Sequence, residues 1–156
     1  MNIKKFWMAL VIILTGLSSV SCGGDDEDGT RNGPVTAADP EGTIVANMAN
    51  DERKASRLHF DFDAWSYIYM SASNNLCTSN MKIVSVGDVK GLSYITKIPE
   101  SGWTTTTAAI PGYGYVLRYD LCNPFRYIRV YVVDYMNSTS GGIMGCTIKY
   151  QEWKAD

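Results

Sequence analysis

The sequence predicts one all-β domain, an antiparallel β-sandwich of about seven to nine short strands, with a small β-barrel as the alternative closure. Three observations predict it. A chain of 156 residues that is 46% hydrophobic and 19% charged has the balance of one ordinary globular domain. Beyond residue 42 the segments are short, alternate polar with apolar, and are rich in Val, Ile, Thr and Tyr, residues that suit a pleated, half-buried surface. Turn residues punctuate those segments densely, and no stretch keeps a convincing helical period.

The chain opens with Lys4 and Lys5, continues through the apolar run Phe6 to Leu14, and passes by Thr15, Gly16, Ser18, Ser19 and Ser21 to Cys22. Basic, apolar and small-polar regions in that order mark residues 1–21 as a signal peptide. A membrane span needs about 20 consecutive apolar residues, roughly twice this run, so the segment reads as a leader. Ser19-Val20-Ser21-Cys22-Gly23 resembles the lipobox of bacterial lipoproteins, in which the cysteine thiol takes a thioether-linked lipid before cleavage. Ser19 stands where that motif usually has leucine, a relaxed form common among lipoproteins of the Bacteroidetes. Without the resemblance, Cys22 is an incidental cysteine beside an ordinary secretory cut. Several acyl chains make such an anchor stable, at about 0.8 kcal/mol per buried methylene. Beyond this covalent lipid on Cys22 no cofactor is expected.

Gly23-Gly24-Asp25-Asp26-Glu27-Asp28-Gly29 follows the cysteine and resembles the acidic signal that sends Bacteroidetes lipoproteins to the cell surface. Gly23 rather than Asp in that position argues, by the sorting rule of enteric bacteria, for the outer membrane. In purely physical terms the same run is a solvated, self-repelling tether. Breakers at Gly29, Asn32-Gly33-Pro34 and Asp39-Pro40-Glu41-Gly42 extend it, giving a linker over 22–42 and a domain over 43–156. A flexible coil of that length spans about 25 Å.

Within the domain, strands are predicted near 43–49, 57–63, 65–72, 81–86, 92–98, 104–109, 113–119, 126–136 and 143–151. The polar cluster Asp51-Glu52-Arg53-Lys54 reads equally as a short helix or a hairpin tip. Period-two alternation turns Leu58, Phe60 and Phe62 inward and His59, Asp61 and Asp63 outward. From Tyr127 to Tyr135 both faces are apolar or aromatic except at Arg129 and Asp134, as for a central strand covered on both sides.

Charge and motif content exclude several function classes. From Thr43 to Asp156 there are ten acids against eleven Lys plus Arg, a near-neutral domain without the clustered cations a nucleic-acid partner requires. His59 is the one histidine, there is no Gly-x-Ser-x-Gly elbow, and no carboxylate pair stands out for glycoside hydrolysis, so no catalytic residue is assigned. Gly112-Tyr113-Gly114-Tyr115 lacks the lysine and following helix of a phosphate loop. No metal site is expected, the weak exception being His59, Asp61 and Asp63 on one strand face, which more simply are the polar side of an amphipathic strand. Asp25 to Asp28 lack the spaced ligands and closing Glu of an EF-hand loop.

Cys146 alternates with Met144, Ile148 and Tyr150 and reads as a structural, buried thiol. If any pair of cysteines is bridged, it is Cys77 with Cys122, both in loop-like surroundings. Among the aromatics, Trp65, Trp103, Tyr113, Tyr115, Tyr127, Tyr131 and Trp153, most are expected in the core. Trp103, after Pro99-Glu100-Ser101-Gly102, and Tyr113, beside Pro111-Gly112, flank glycine turns and, with Trp65, are the candidates for ligand contact through stacking.

Gly87-Asp88-Val89-Lys90-Gly91-Leu92, Ile98-Pro99-Glu100-Ser101-Gly102-Trp103, Pro111-Gly112-Tyr113-Gly114-Tyr115-Val116, Tyr131-Val132-Val133-Asp134-Tyr135 and Thr139-Ser140-Gly141-Gly142 together resemble uncharacterised lipoproteins of gut Bacteroides and their relatives. The likeness spans most of Thr43 to Trp153 and consists of turn and strand motifs, so it implies origin and domain extent and no activity. The expected function is a non-catalytic binding module, lipid-anchored at the outer membrane or cell surface, with a glycan or a surface protein as partner. Facing the periplasm is the alternative location, and a structural accessory subunit of an outer-membrane assembly the alternative role. A hydrolase is the third class.

Overall fold

The computed structural model describes residues 37–50 and 57–153. The leader, Cys22, the acidic run and the Asp51 to Lys54 cluster lie outside the described residues. Among the described residues nine strands form: β1 (Ile44–Ala49), β2 (Leu58–His59), β3 (Tyr67–Met70), β4 (Asn75–Ser79), β5 (Lys82–Asp88), β6 (Thr106–Ala108), β7 (Tyr113–Tyr119), β8 (Arg126–Asn137) and β9 (Ile143–Trp153). They make two antiparallel sheets, in the order β1-β9-β8-β7-β5 and β2-β3-β4-β6. Neither sheet closes into a barrel, so the architecture is the sandwich. No helix among the described residues is long and apolar enough to cross a membrane.

Alternation fixes which face of each strand is buried. In β8, Ile128, Val130 and Val132 turn inward, and in β9 Cys146 and Ile148 do the same. They meet Ile68, Met70 and Leu76 from the smaller sheet in one contiguous core. The outward set of β8 is Tyr127, Arg129 and Tyr131, and part of it is covered too. Residues 89–103 fold back over the outer face of β5 and β7, where Leu92 and Ile95 bury against Val84 and Val116 in a second, smaller core. This cover is why the apolar residues of 92–98 make no strand. Leu92–Tyr94 is a single 3-10 turn whose side chains plug the sheet from outside instead of extending it.

Other boundaries differ from the sequence reading for identifiable reasons. The predicted 57–63 strand pairs only at Leu58 and His59, because residues 61–62 turn the chain. Residues 75–79, around Cys77, form strand β4 and not the predicted loop. The chain joins the domain before Thr43. Lys149 pairs with Asp39 at 2.6 Å, Gln151 donates to the Glu41 carbonyl, and the Thr43 hydroxyl donates to the Pro40 carbonyl at 2.6 Å.

Candidate functional site

One end of the sandwich collects the entering chain at Asp39 to Thr43, the loop 60–66 and the loop 120–125, where β1 and β8 begin and β7 and β9 finish. The two loops are locked together. Tyr119 donates its hydroxyl to Asp63 Oδ2 at 2.6 Å, Phe62 lies 5.3 Å from the Tyr119 ring, and Arg126 sits 4.0 Å over Phe62. The Tyr119 hydrogen bond, then those from Trp65 and Ser66, hold the Asp63 carboxyl below its ordinary range despite some desolvation.

From this end an aromatic row runs across the outer face of the larger sheet. Strand register sets Arg118 of β7 opposite Tyr127 of β8, and Tyr127 opposite Trp153 of β9. Trp103 closes the row from the covering segment, with the Arg118 guanidinium 4.4 Å from its ring centre and 5.3 Å from that of Phe125. Asp120 bonds Arg118 at 2.5 Å and raises its pKa. The next row pairs Arg129 with Gln151, and Arg129 lies 5.7 Å from the Trp153 ring.

Three clefts meet around Glu152. One of about 410 Å³ opens between the sheets and is lined by Glu41, His59, Asp61, Phe62, Tyr150 and Gln151 among others. A second of about 640 Å³ lies between Phe125, Arg126, Tyr127 and Trp153. A third of about 440 Å³ is bounded by Arg129, Gln151, Glu152 and Trp153. Glu152 itself is held by Arg126 at 2.5 Å. Half-buried aromatic walls with a few fixed polar groups are the usual make-up of a small-ligand site.

The residues singled out in the sequence fare differently. Trp65 is 73% exposed on a turn stapled by Asp63, whose Oδ1 accepts from the Trp65 N–H at 2.6 Å. Trp103 is half-buried, as are Tyr127 and Trp153, which pack on the same smaller core. The Trp103 indole N–H finds no partner. Tyr113 is half-buried and packs on the main core. His59 and Asp61 share the inter-sheet cleft, but Asp63 leaves them because the strand ends at His59 and its carboxylate turns to Tyr119 and Ser66. Among the described residues no group of three His, Cys, Asp or Glu is gathered as for a metal ion.

Cys77 and Cys122 are not bridged. Cys77 sits on β4 with its sulfur 3.3 Å from Thr106 Oγ1, and Cys122 donates to the Pro124 carbonyl at 3.1 Å. Cys146 is a free, buried thiol whose pKa burial pushes up to about 12. Tyr127 and Trp153, among the aromatics expected to be mostly core, pack on the smaller core and also line a cleft, while Phe125, Arg129 and Glu152 carried no signal of their own. Only the pairing of β7, β8 and β9 places them side by side. Comparison with family models, with curated proteins and with solved structures returns no match to this chain.

Proposed function

We propose that this protein is a lipid-anchored, non-catalytic binding module, held at the outer membrane by acyl chains on Cys22 and taking a glycan on the outer face of its larger sheet. The observation that carries this reading is the cross-strand row of Trp153, Tyr127 and the Trp103–Arg118 stack beside two clefts. The row spans about 10 Å from β7 to β9, a footprint suited to a short oligosaccharide. Aromatic faces stack on the apolar faces of sugar rings, and neighbouring Arg, Gln and Glu side chains bond hydroxyls. The non-catalytic assignment is supported by the commitment of Asp63, Asp120 and Glu152 to internal partners. The address rests on the lipobox-like Ser19 to Gly23 and the acidic run behind it.

The test is a glycan-array and polysaccharide pull-down screen on the processed protein beside Trp153→Ala and Tyr127→Ala. Saturable binding weakened by about tenfold or more in both variants, and unchanged in Trp65→Ala, is the expected result. The address is tested in cells, where Cys22→Ala should abolish labelling by radioactive palmitate and move the protein out of the membrane fraction. Retention of label in that variant would refute the anchor. A second reading, an accessory subunit contacting another protein, is favoured by the edge strand β1, which exposes Ile44 at 51% and Val45 at 60%. It predicts a cross-linked partner in place of glycan binding.

A further inference from the structure

Resting on the glycan reading above, we infer that the cleft beside Trp153 selects an acidic saccharide, seating a ring carboxylate on Arg129. Each of the neighbouring cations has an anionic partner: Arg118 has Asp120, Arg126 has Glu152, and Lys149 has Asp39. Arg129 has none among the described residues. Its partner across the strands is the neutral Gln151, whose Oε1 accepts from Nε at 2.7 Å and from Nη2 at 2.5 Å, and its Nη1 donates to the Ile95 carbonyl at 3.2 Å. A glutamate in the place of Gln151 would neutralise the pair, so the sequence leaves one half-buried positive charge uncompensated. Burial alone pulls the Arg129 pKa down, the direction expected of a cation removed from water without an anion beside it.

Three bonds to neutral oxygens orient the guanidinium and leave one N–H on each terminal nitrogen. A guanidinium whose terminal nitrogens each keep an N–H can donate to the oxygens of a carboxylate. Arg129 lines the cleft together with Gln151, Glu152 and Trp153, so a charge on the ligand and a ring for stacking are offered within one space of about 440 Å³. Glu152, the acid in the same wall, is already neutralised by two bonds from Arg126, at 2.9 and 2.5 Å. A pyranose carrying a carboxylate on its ring therefore meets both requirements at once, stacking on Trp153 while its acid faces Arg129.

The experiment is calorimetric titration of the processed protein with oligogalacturonates, their methyl esters and free acetate, beside Arg129→Gln, Gln151→Glu and Trp153→Ala. Galacturonate oligomers should bind at least about tenfold tighter than the esters, and acetate should not bind measurably, because the ring supplies the stacking. Gln151→Glu provides the missing internal anion without removing the guanidinium, and it should erase the preference for acid over ester. Arg129→Gln should do the same. Equal affinity for acid and ester, or a preference that survives Gln151→Glu, would overturn the inference while the glycan reading stands. Binding of acetate as tight as of the oligomers would overturn it too, by showing a bare anion site. Absence of binding to every saccharide, including those of the wider array, would remove the glycan reading itself.

Discussion

Asp63 shows how one side chain changes role when its strand stops early. Alternation from Leu58 turns His59, Asp61 and Asp63 to one side, yet pairing ends at His59, and the carboxylate of Asp63 is free to gather Trp65, Ser66 and Tyr119. Its folded pKa lies below the ordinary value of 3.8, so its contribution is complete above that value and disappears as pH falls through it and on through the lowered folded value. Asp63→Asn should therefore lower the Tm at neutral pH and flatten the acid limb of stability, read from urea melts at intervals below about pH 6. An acid limb as steep as that of the parent would assign the loss to other carboxylates. Tyr115 acts at the opposite extreme. Its hydroxyl donates to Ala108 O at 2.7 Å and accepts from Ile110 N–H at 2.9 Å within the core, and burial raises its pKa from 10.0 to about 12. A raised folded pKa means that this stability is complete below pH 10 and is lost as pH climbs from there through 12. Tyr115→Phe should cost about 1–3 kcal/mol at neutral pH by stranding the Ile110 amide, with a shallower alkaline decline than the parent in chemical melts.

At the scale of elements, two glycines show how closely strands and cover approach. A Cβ on Gly145 in β9 would lie 2.1 Å from the Met48 carbonyl of β1, a backbone atom that cannot step aside. Gly145→Ala should thus destabilise by roughly 2–4 kcal/mol and weaken the β1–β9 seam. Gly114 in β7 faces Ile95 and Val86 side chains, each 2.8 Å from its would-be Cβ, and alanine there should lift the 89–103 cover at a lower cost, about 1–3 kcal/mol. Urea melts of the two variants rank these costs, and the reverse order would show that the β1 seam yields more easily than the cover. The strong strands were legible because alternation and composition agree: β7, β8 and β9 lie within about two residues of their predicted limits. Segment 92–98 was misread because Leu92 and Ile95 have apolar character without saying which surface they plug. β4 was missed because Asn74-Asn75 and Ser79-Asn80 look like turn residues; Asn74 and Asn80, at positive φ of 59° and 54°, do flank the strand, while Asn75 and Ser79 are its ends.

For the whole molecule, composition identified an all-β sandwich, but the order β1-β9-β8-β7-β5 and its register were not written in any local pattern. The candidate site was hidden for the same reason, since Tyr127, Trp153 and Arg129 become neighbours of Arg118 and Gln151 only through that register. The two sheets are also unequal. β8 and β9 run 12 and 11 residues and pair along most of their length, whereas β2 and β6 are 2 and 3 residues long. Backbone hydrogen bonds at the centre of a long, doubly flanked ladder open only when the domain unfolds, while those of a short edge open by local fraying. Amides of Ile128, Val130 and Ile148 should accordingly exchange at the rate of global unfolding, and those of β2 and β6 at least about tenfold faster, in native-state hydrogen exchange. Tyr127, Trp153 and Arg129 sit on this long ladder, so the surface proposed above for a glycan is expected to be preorganised and to require little ordering on docking. Uniform protection across both sheets would show one cooperative unit and remove any special rigidity of β7, β8 and β9; protection lower in β8 than in β2 would contradict the preorganised surface outright.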